Sequence, residues 1–245
     1  MLTLDRKRAK APVRASRAER LYTKQLSGLA RQVGAIIGEF PPGDIETLPT
    51  LEQMLRRYAE ALMPWATVAA SKMIEEVNAR DLAGWKAVSA EMSHEIRREI
   101  LTAPTGKAMR ALMEQQVTLI RSIPIEAAHR VHELTIRARE DGTRANELVG
   151  EIMRSGQVAQ SRARLIARTE VARTAANLTQ ARAQHVGSKG YVWETSHDGD
   201  VRPSHREMAG QYVAWANPPT LDGLTGHAGC LPNCRCWARV ILPNE

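Results

Sequence analysis

The sequence predicts a mostly α-helical α+β protein, a helical N-terminal region followed by a small α+β C-terminal domain with a short antiparallel sheet. Three observations carry that prediction. Apolar residues recur at helical spacing from about Thr50 to Arg154, Pro and Gly clusters divide that stretch, and a period of two appears only after Gly187. The chain of 245 residues, 43% hydrophobic and 25% charged, has material for one or two ordinary domains. No run of about 18 uncharged apolar residues occurs, which excludes a helical membrane span. Cys230, Cys234 and Cys236 sit close together near the end and cannot staple a fold of this size. With no charged-apolar-small leader at the start, a reducing interior suits them better.

Residues 1–31 form a basic arm running into the first helix. They hold nine of the 34 Lys and Arg but only Asp5 and Glu19 among the acids, which equals the whole net charge of +7. The other 214 residues balance at 25 basic and 25 acidic. Between Arg6 and Arg20 no apolar stripe is wide enough to pack, so this part is expected to be disordered unless a partner orders it. Arg6, Lys7, Arg8, Lys10 and Arg14 are the arm's candidate phosphate contacts. A polybasic arm attracts polyanions by counterion release without reading sequence. Nucleic acid, an acidic protein surface and simple solubility all remain open as its purpose.

Residues 32–154 read as a helical domain. A helix over residues 21–38 ends at Phe40-Pro41-Pro42-Gly43-Asp44. Leu51, Met54, Leu55, Tyr58 and Leu62 then follow an amphipathic stripe, and Pro64 fits only a kink or a new first turn. Val88, Met92, Ile96 and Ile100 make a further stripe, as do Met109, Leu112, Met113 and Ile120. Breaks are expected at Pro104-Thr105-Gly106, at Pro124 and at Asp141-Gly142, spacings that suit antiparallel helices. Methionines and tryptophans in these positions are core filler, and no site is assigned before residue 155.

Residues 155–245 read as the α+β domain. A long helix is expected from near Gln157 to a left-handed cap at Gly187, with Val158, Leu165, Ala172, Ala176 and Ala183 on its packing face. Arg164, Arg168 and Arg182 share another side and form a flank that suits phosphates, a partner's carboxylates or plain solvent. Tyr191-Val192-Trp193-Glu194-Thr195 and the run Arg235–Leu242 alternate as two strands expected to pair, with a short helix started by Pro203 and a Gly/Pro-rich loop over 217–233 between them.

Ala167-Arg168-Thr169-Glu170, the strand Tyr191–Thr195, Asp198, Val201-Arg202-Pro203, His205, Gly210 and Asn233-Cys234-Arg235-Cys236 occur in that order. Together they resemble the C-terminal domain of phage Mu F-like head morphogenesis proteins, the minor head proteins of tailed phages. The resemblance covers about residues 155–242. Arg168, Glu170, Trp193, Asp198, Arg202, His205, Asn233 and Arg235 are its motif residues here. It implies a few-copy virion protein of the capsid interior, brought with the portal into the procapsid in the host cytoplasm. Its implied partners are the portal protein, the major capsid or scaffolding protein, and double-stranded DNA.

The residues allow other readings of the same region. His205, Cys234 and Cys236 are zinc-ligand types, with Asp198, Cys230 or His227 as a fourth. Against a structural zinc stands the tight C-x-C spacing, which leaves little room for a knuckle turn. The metal-free alternative has His205 bonded to backbone and the cysteines buried as small apolar groups. Asp198 suits a clamp with Arg202 or Arg235, and Trp193, Trp215 and Trp237 suit the core of the small domain. No enzyme is expected: there is no HExxH frame, glycine-rich phosphate loop or G-x-S-x-G elbow. Similar domains also head toxin-bearing fusions, and a chain ending three residues after Leu242 is expected to lack such an appended domain. The competing function is a nucleic-acid-binding module with a zinc-stabilised C-terminal domain.

Overall fold

The computed structural model describes residues 15–40, 45–89, 98–99, 101–141 and 145–242. Arg6, Lys7, Arg8, Lys10 and Arg14, the Pro41–Asp44 break, and Met92, Ile96 and Ile100 of the second stripe lie outside the described residues. The elements in order are α1 (Ser16–Gly38), a 3-10 turn (Ile45–Thr47), α2 (Leu48–Ala61), α3 (Met63–Ser89), α4 (Gly106–Asp141), α5 (Ala145–His185), β1 (Gly190–Glu194), α6 (Pro203–Glu207), β2 (Tyr212–Ala214), β3 (Thr220–Leu221), β4 (Leu224–Thr225) and β5 (Trp237–Ile241). The mostly helical α+β class is the one expected. No described helix is long and apolar enough to cross a membrane.

The described residues cluster into two compact units. One comprises Arg20–Lys72 and Met113–Ala167 and is wholly helical where described. Its core includes Tyr22, Leu26, Leu51, Leu55, Ile120, Ile123, Ala159 and Ala163. Tyr22 is completely enclosed and donates through its hydroxyl to Gln116 Oε1 at 3.0 Å, so the one polar atom of a large core ring is matched. Pro64 falls in the first turn of α3, where its missing N–H costs nothing. Pro124 does not break the chain as expected, because α4 runs through it from Gly106 to Asp141. Ile120, Ile123, Ala127 and Ala128 are buried around that proline, and their packing outweighs the one backbone hydrogen bond it removes.

Two helix starts also differ from expectation. Helix α1 begins at Ser16, so the stretch up to Arg20 is ordered in its last five residues. Ala18 is buried there and Arg17 approaches Glu76 at 3.9 Å, so the apolar stripe reaches one turn further back than Leu21. Helix α5 begins at Ala145, well before Gln157, and carries Gly156 in its interior. A Cβ at Gly156 would stand 3.3 Å from the Gly34 Cα, so that glycine serves close helix approach.

The other unit is made of the described residues of Met1–Glu19, Met73–Leu112 and Arg168–Glu245. Its sheet has the order β2-β1-β5, with β1 antiparallel to both neighbours. Tyr191 pairs with Val213 on one side and Val240 on the other. The predicted pairing of the first and last strands is therefore present. Strand β2 was too short for a periodic signal, and β5 is half-buried throughout because it lies at an edge. Within the expected loop, β3 and β4 close a hairpin over Asp222-Gly223, both at positive φ of 51° and 76°.

Helix α5 ends at His185, and Gly187 adopts the left-handed conformation expected of it, φ 82°. The expected packing face of α5 holds at its C-terminal end, where Ala183 is buried and Ala172 and Ala176 are half-buried, and fails in the first half. Val158 and Leu165 are each 40% exposed, whereas Ala159, Ala163, Ile166, Ala167, Val171 and Leu178 are buried. In that half the buried stripe lies one position, about 100°, round the helix. The core of this unit joins Trp85, Ala183 and Val186 to Tyr191, Trp193, Val213 and Trp215. Tyr191 and Trp215 rings meet at 4.5 Å between centroids. Trp237 is only half-buried, and Tyr191 takes the third aromatic place that was expected of it.

Candidate functional site

Helix α5 supplies the first wall of the site. Thr169 accepts the backbone N–H of Asn233 at 3.2 Å. One turn on, Arg173 donates twice to the Cys230 carbonyl, at 3.1 and 3.0 Å, and pairs with the buried Glu170 at 3.1 Å. These contacts bind the 228–234 loop to the helix. Asn233 itself has φ 55°, a conformation asparagine tolerates better than most residues, and it turns the chain immediately before Cys234.

The second wall comes from β1 and the segment after it. Trp193 is fully buried in the strand. Its backbone N–H donates to Gln211 O and its carbonyl accepts from the Gly210 backbone N–H, both at 2.8 Å, so the Gly210 turn is sewn to the strand. Pro203 starts α6 with a preset φ, and the helix carries His205 inward to 2% exposure. The His205 and Trp193 rings meet edge-on at 5.7 Å. Arg202 donates to the Pro232 carbonyl at 2.9 Å, closing α6 against the same loop.

His205, Cys234 and Cys236 converge between these walls. All three are buried, and their donor atoms lie within 4.8 Å of one another. The Nδ1 of His205 is 3.5 Å from each sulfur. Its Nε2 is buried without a hydrogen-bond partner among the described residues. The tight C-x-C spacing proves no obstacle, because Cys234 folds back to accept the Cys236 N–H at 3.4 Å. A hydrogen bond from the Cys236 thiol brings the Cys234 thiol down to about 5, and the same coupling pushes Cys236 up. One of the two sulfurs is thus disposed to carry negative charge, as a metal ligand must.

None of the three expected fourth ligands joins this group. Asp198 accepts from Arg235 at 2.9 Å and from the Asp200 N–H at 3.2 Å. Arg235 also reaches Asp200 at 3.0 Å, so of the two clamp partners considered it is Arg235 that holds Asp198. Cys230 faces Asn177 at 4.0 Å, and burial raises its thiol to about 11. His227 faces the Tyr191 hydroxyl at 3.3 Å, and burial lowers it. A cavity of about 200 Å³ opens beside the three ligands, lined also by Arg168, Arg202, Arg235 and Asn233.

The arginines expected on one flank of α5 do different things. Arg164 is exposed. Arg168 points into the cavity lining and makes no side-chain hydrogen bond or ion pair among the described residues. Arg182 is not a phosphate contact: it is 3% exposed, pairs with Asp81 and donates to Asn78 at 2.7 Å. Thr179 donates to the same Asp81 at 2.6 Å. Sequence reasoning, which assigns no site before residue 155, does not find this pair. A lone aspartate among Met73, Ile74, Val77 and Trp85 was the available signal. Arg173 was missed as well, although its i+3 spacing from Glu170 allowed the pair.

Residues 129–239 match the family model described as Phage Mu protein F like protein. The match starts in α4, ahead of the residue 155 expected. A Haemophilus influenzae protein described as uncharacterized is 37% identical over 135 residues. That alignment takes in 55% of this chain and 30% of the relative, so the chain spans less than a third of that protein's length. No solved structure matches.

Proposed function

Because residues 129–239 carry the signature of the Phage Mu protein F like family, we propose that the chain is a minor head protein of a tailed phage, acting in head morphogenesis and entering the assembling head with the portal. The family match is the observation that carries this reading. The geometry of the motif supports it: Arg168, Glu170, Trp193, Arg202, His205, Asn233 and Arg235 are spread over residues 168–235 of the sequence, yet serve one small unit as pins, core and cavity lining. Such a division leaves helix surfaces free to vary for partner choice, and the helical unit is where the portal, the major capsid protein or a scaffolding protein would be met. We assign no catalytic role to the chain.

Contact with packaged double-stranded DNA belongs to the arm in this reading, through Arg6, Lys7, Arg8, Lys10 and Arg14. The competing module reading placed phosphate contacts on α5, and the burial of Arg182 against Asp81 removes one of its three arginines. A pull-down of the full chain against the portal protein of its own phage, with salt varied, tests the proposal. Retention that survives high salt is expected, since an interface built on apolar helix faces is little screened. Failure to bind the portal, with salt-sensitive DNA binding that persists when residues 1–14 are removed from the chain, would shift the function to a nucleic-acid module.

A further inference from the structure

We propose that His205, Cys234 and Cys236 form a zinc site with three protein ligands, whose fourth ligand comes from the arginine-lined cavity. The spacing of the donor atoms carries the proposal. Zinc–sulfur bonds of about 2.3 Å and zinc–nitrogen bonds of about 2.0–2.1 Å, set at tetrahedral angles, hold nitrogen and sulfur about 3.5 Å apart. His205 Nδ1 stands 3.5 Å from Cys234 Sγ and 3.5 Å from Cys236 Sγ. One ring nitrogen thus lies on two tetrahedral edges at once. The metal-free alternative, a histidine bonded to backbone beside two apolar thiols, asks for no such equality, and the His205 ring makes no backbone hydrogen bond among the described residues.

The surroundings hold this arrangement in place. His205 rides on α6, which Arg202 ties to Pro232, while Thr169 and Arg173 tie the cysteine loop to α5. An imidazole with two thiolates is a soft, borderline set that suits zinc and not the oxygen-seeking cations. Two thiolates neutralise the ion, so the burial of all three ligands carries no net charge. Asp198 is taken by Arg235, and neither Cys230 nor His227 belongs to the ligand group. The remaining position therefore falls to a water or small anion entering from the cavity, where Arg168 and Arg202 favour negative charge. A three-ligand set with an exchangeable fourth position is the open type of zinc site. The site stands whether or not the chain acts in head assembly.

Elemental analysis of the full chain purified from zinc-supplemented cells provides the first readout, with about one equivalent expected. Exchange of that metal for cobalt should give thiolate-to-metal charge-transfer absorption and the intense visible bands of a four-coordinate ion. Cys230→Ser should keep both, while Cys234→Ser should lose the charge-transfer intensity of one sulfur. Added phosphate should shift the visible bands by replacing the fourth ligand. Less than about a tenth of an equivalent of zinc, with no cobalt–thiolate absorption in the unaltered chain, overturns the metal site. Loss of metal in Cys230→Ser, or visible bands that phosphate and thiocyanate both leave unmoved, overturns the open fourth position.

Discussion

Asp81→Ala is expected to lower the stability of the unit containing the sheet by about 3–5 kcal/mol, because it strands the Arg182 guanidinium without its counter-charge in the interior. Both side chains are nearly out of water, at 9% exposure for Asp81 and 3% for Arg182. The aspartate also accepts from Thr179, and Asn78 takes a second Arg182 donor, so every partner is committed to the pair. Burial raises the Asp81 carboxyl in spite of Thr179 and Arg182, which shows that removal from water is the dominant influence on it. Removing both charges together should therefore cost less than removing one. Urea titrations of Asp81→Ala, Arg182→Met and the double variant Asp81→Leu/Arg182→Met check this. A double variant no more stable than Asp81→Ala would contradict the account of the pair.

Trp193→Ala should be comparably damaging, at about 3–5 kcal/mol, through the cavity left by a fully buried indole. In a chain of this size that corresponds to a fall in melting temperature on the order of 10 °C. The indole sits in the central strand, packs against Tyr191 at 6.4 Å between ring centroids and backs His205 at 5.7 Å. Its loss should accordingly loosen the ligand group as well as the core. Trp237→Ala, at the half-buried edge strand, should cost distinctly less. Thermal melts followed by tryptophan fluorescence compare the two, and equal losses would mean that edge and centre of the sheet are not energetically distinct.

The architecture was legible where local signals were strong. The amphipathic stripe through Leu51 and Leu55, Pro64 in a first turn, Gly187 at a helix end, Pro203 at a helix start and the two paired strands all rest on rules that operate within a few residues. What escaped depends on distant parts of the chain. Pro124 reads as a break until the packing on both sides of it is known, and the helix expected from near Gln157 extends back to Ala145 through Gly156, which lies against Gly34. The faces of α5 were misjudged for the same reason: a run rich in alanine and arginine gives a shallow apolar pattern, and contacts made by Asp81 and Ser122 decide which arginines turn inward.

The candidate site shows the same division. Residue types and their order singled out His205, Cys234 and Cys236, and the structure gathers all three. Asp198 reads from sequence both as one of three possible fourth ligands and as a clamp with Arg202 or Arg235, and the structure gives it the clamp with Arg235, the charge-assisted hydrogen bond a carboxylate near a guanidinium prefers. Sequence leaves the choice between Arg202 and Arg235 open, because the turn at Asn233 that sets Arg235 opposite Asp198 is a backbone feature of one left-handed residue.

Membership of the head is best tested by quantitative mass spectrometry of phage heads purified from the host that carries this gene, with and without the gene. The proposed function predicts a few copies of the chain in each purified head and heads that are scarce or misassembled when the gene is deleted. Normal numbers of infectious, DNA-filled heads lacking the chain would contradict it.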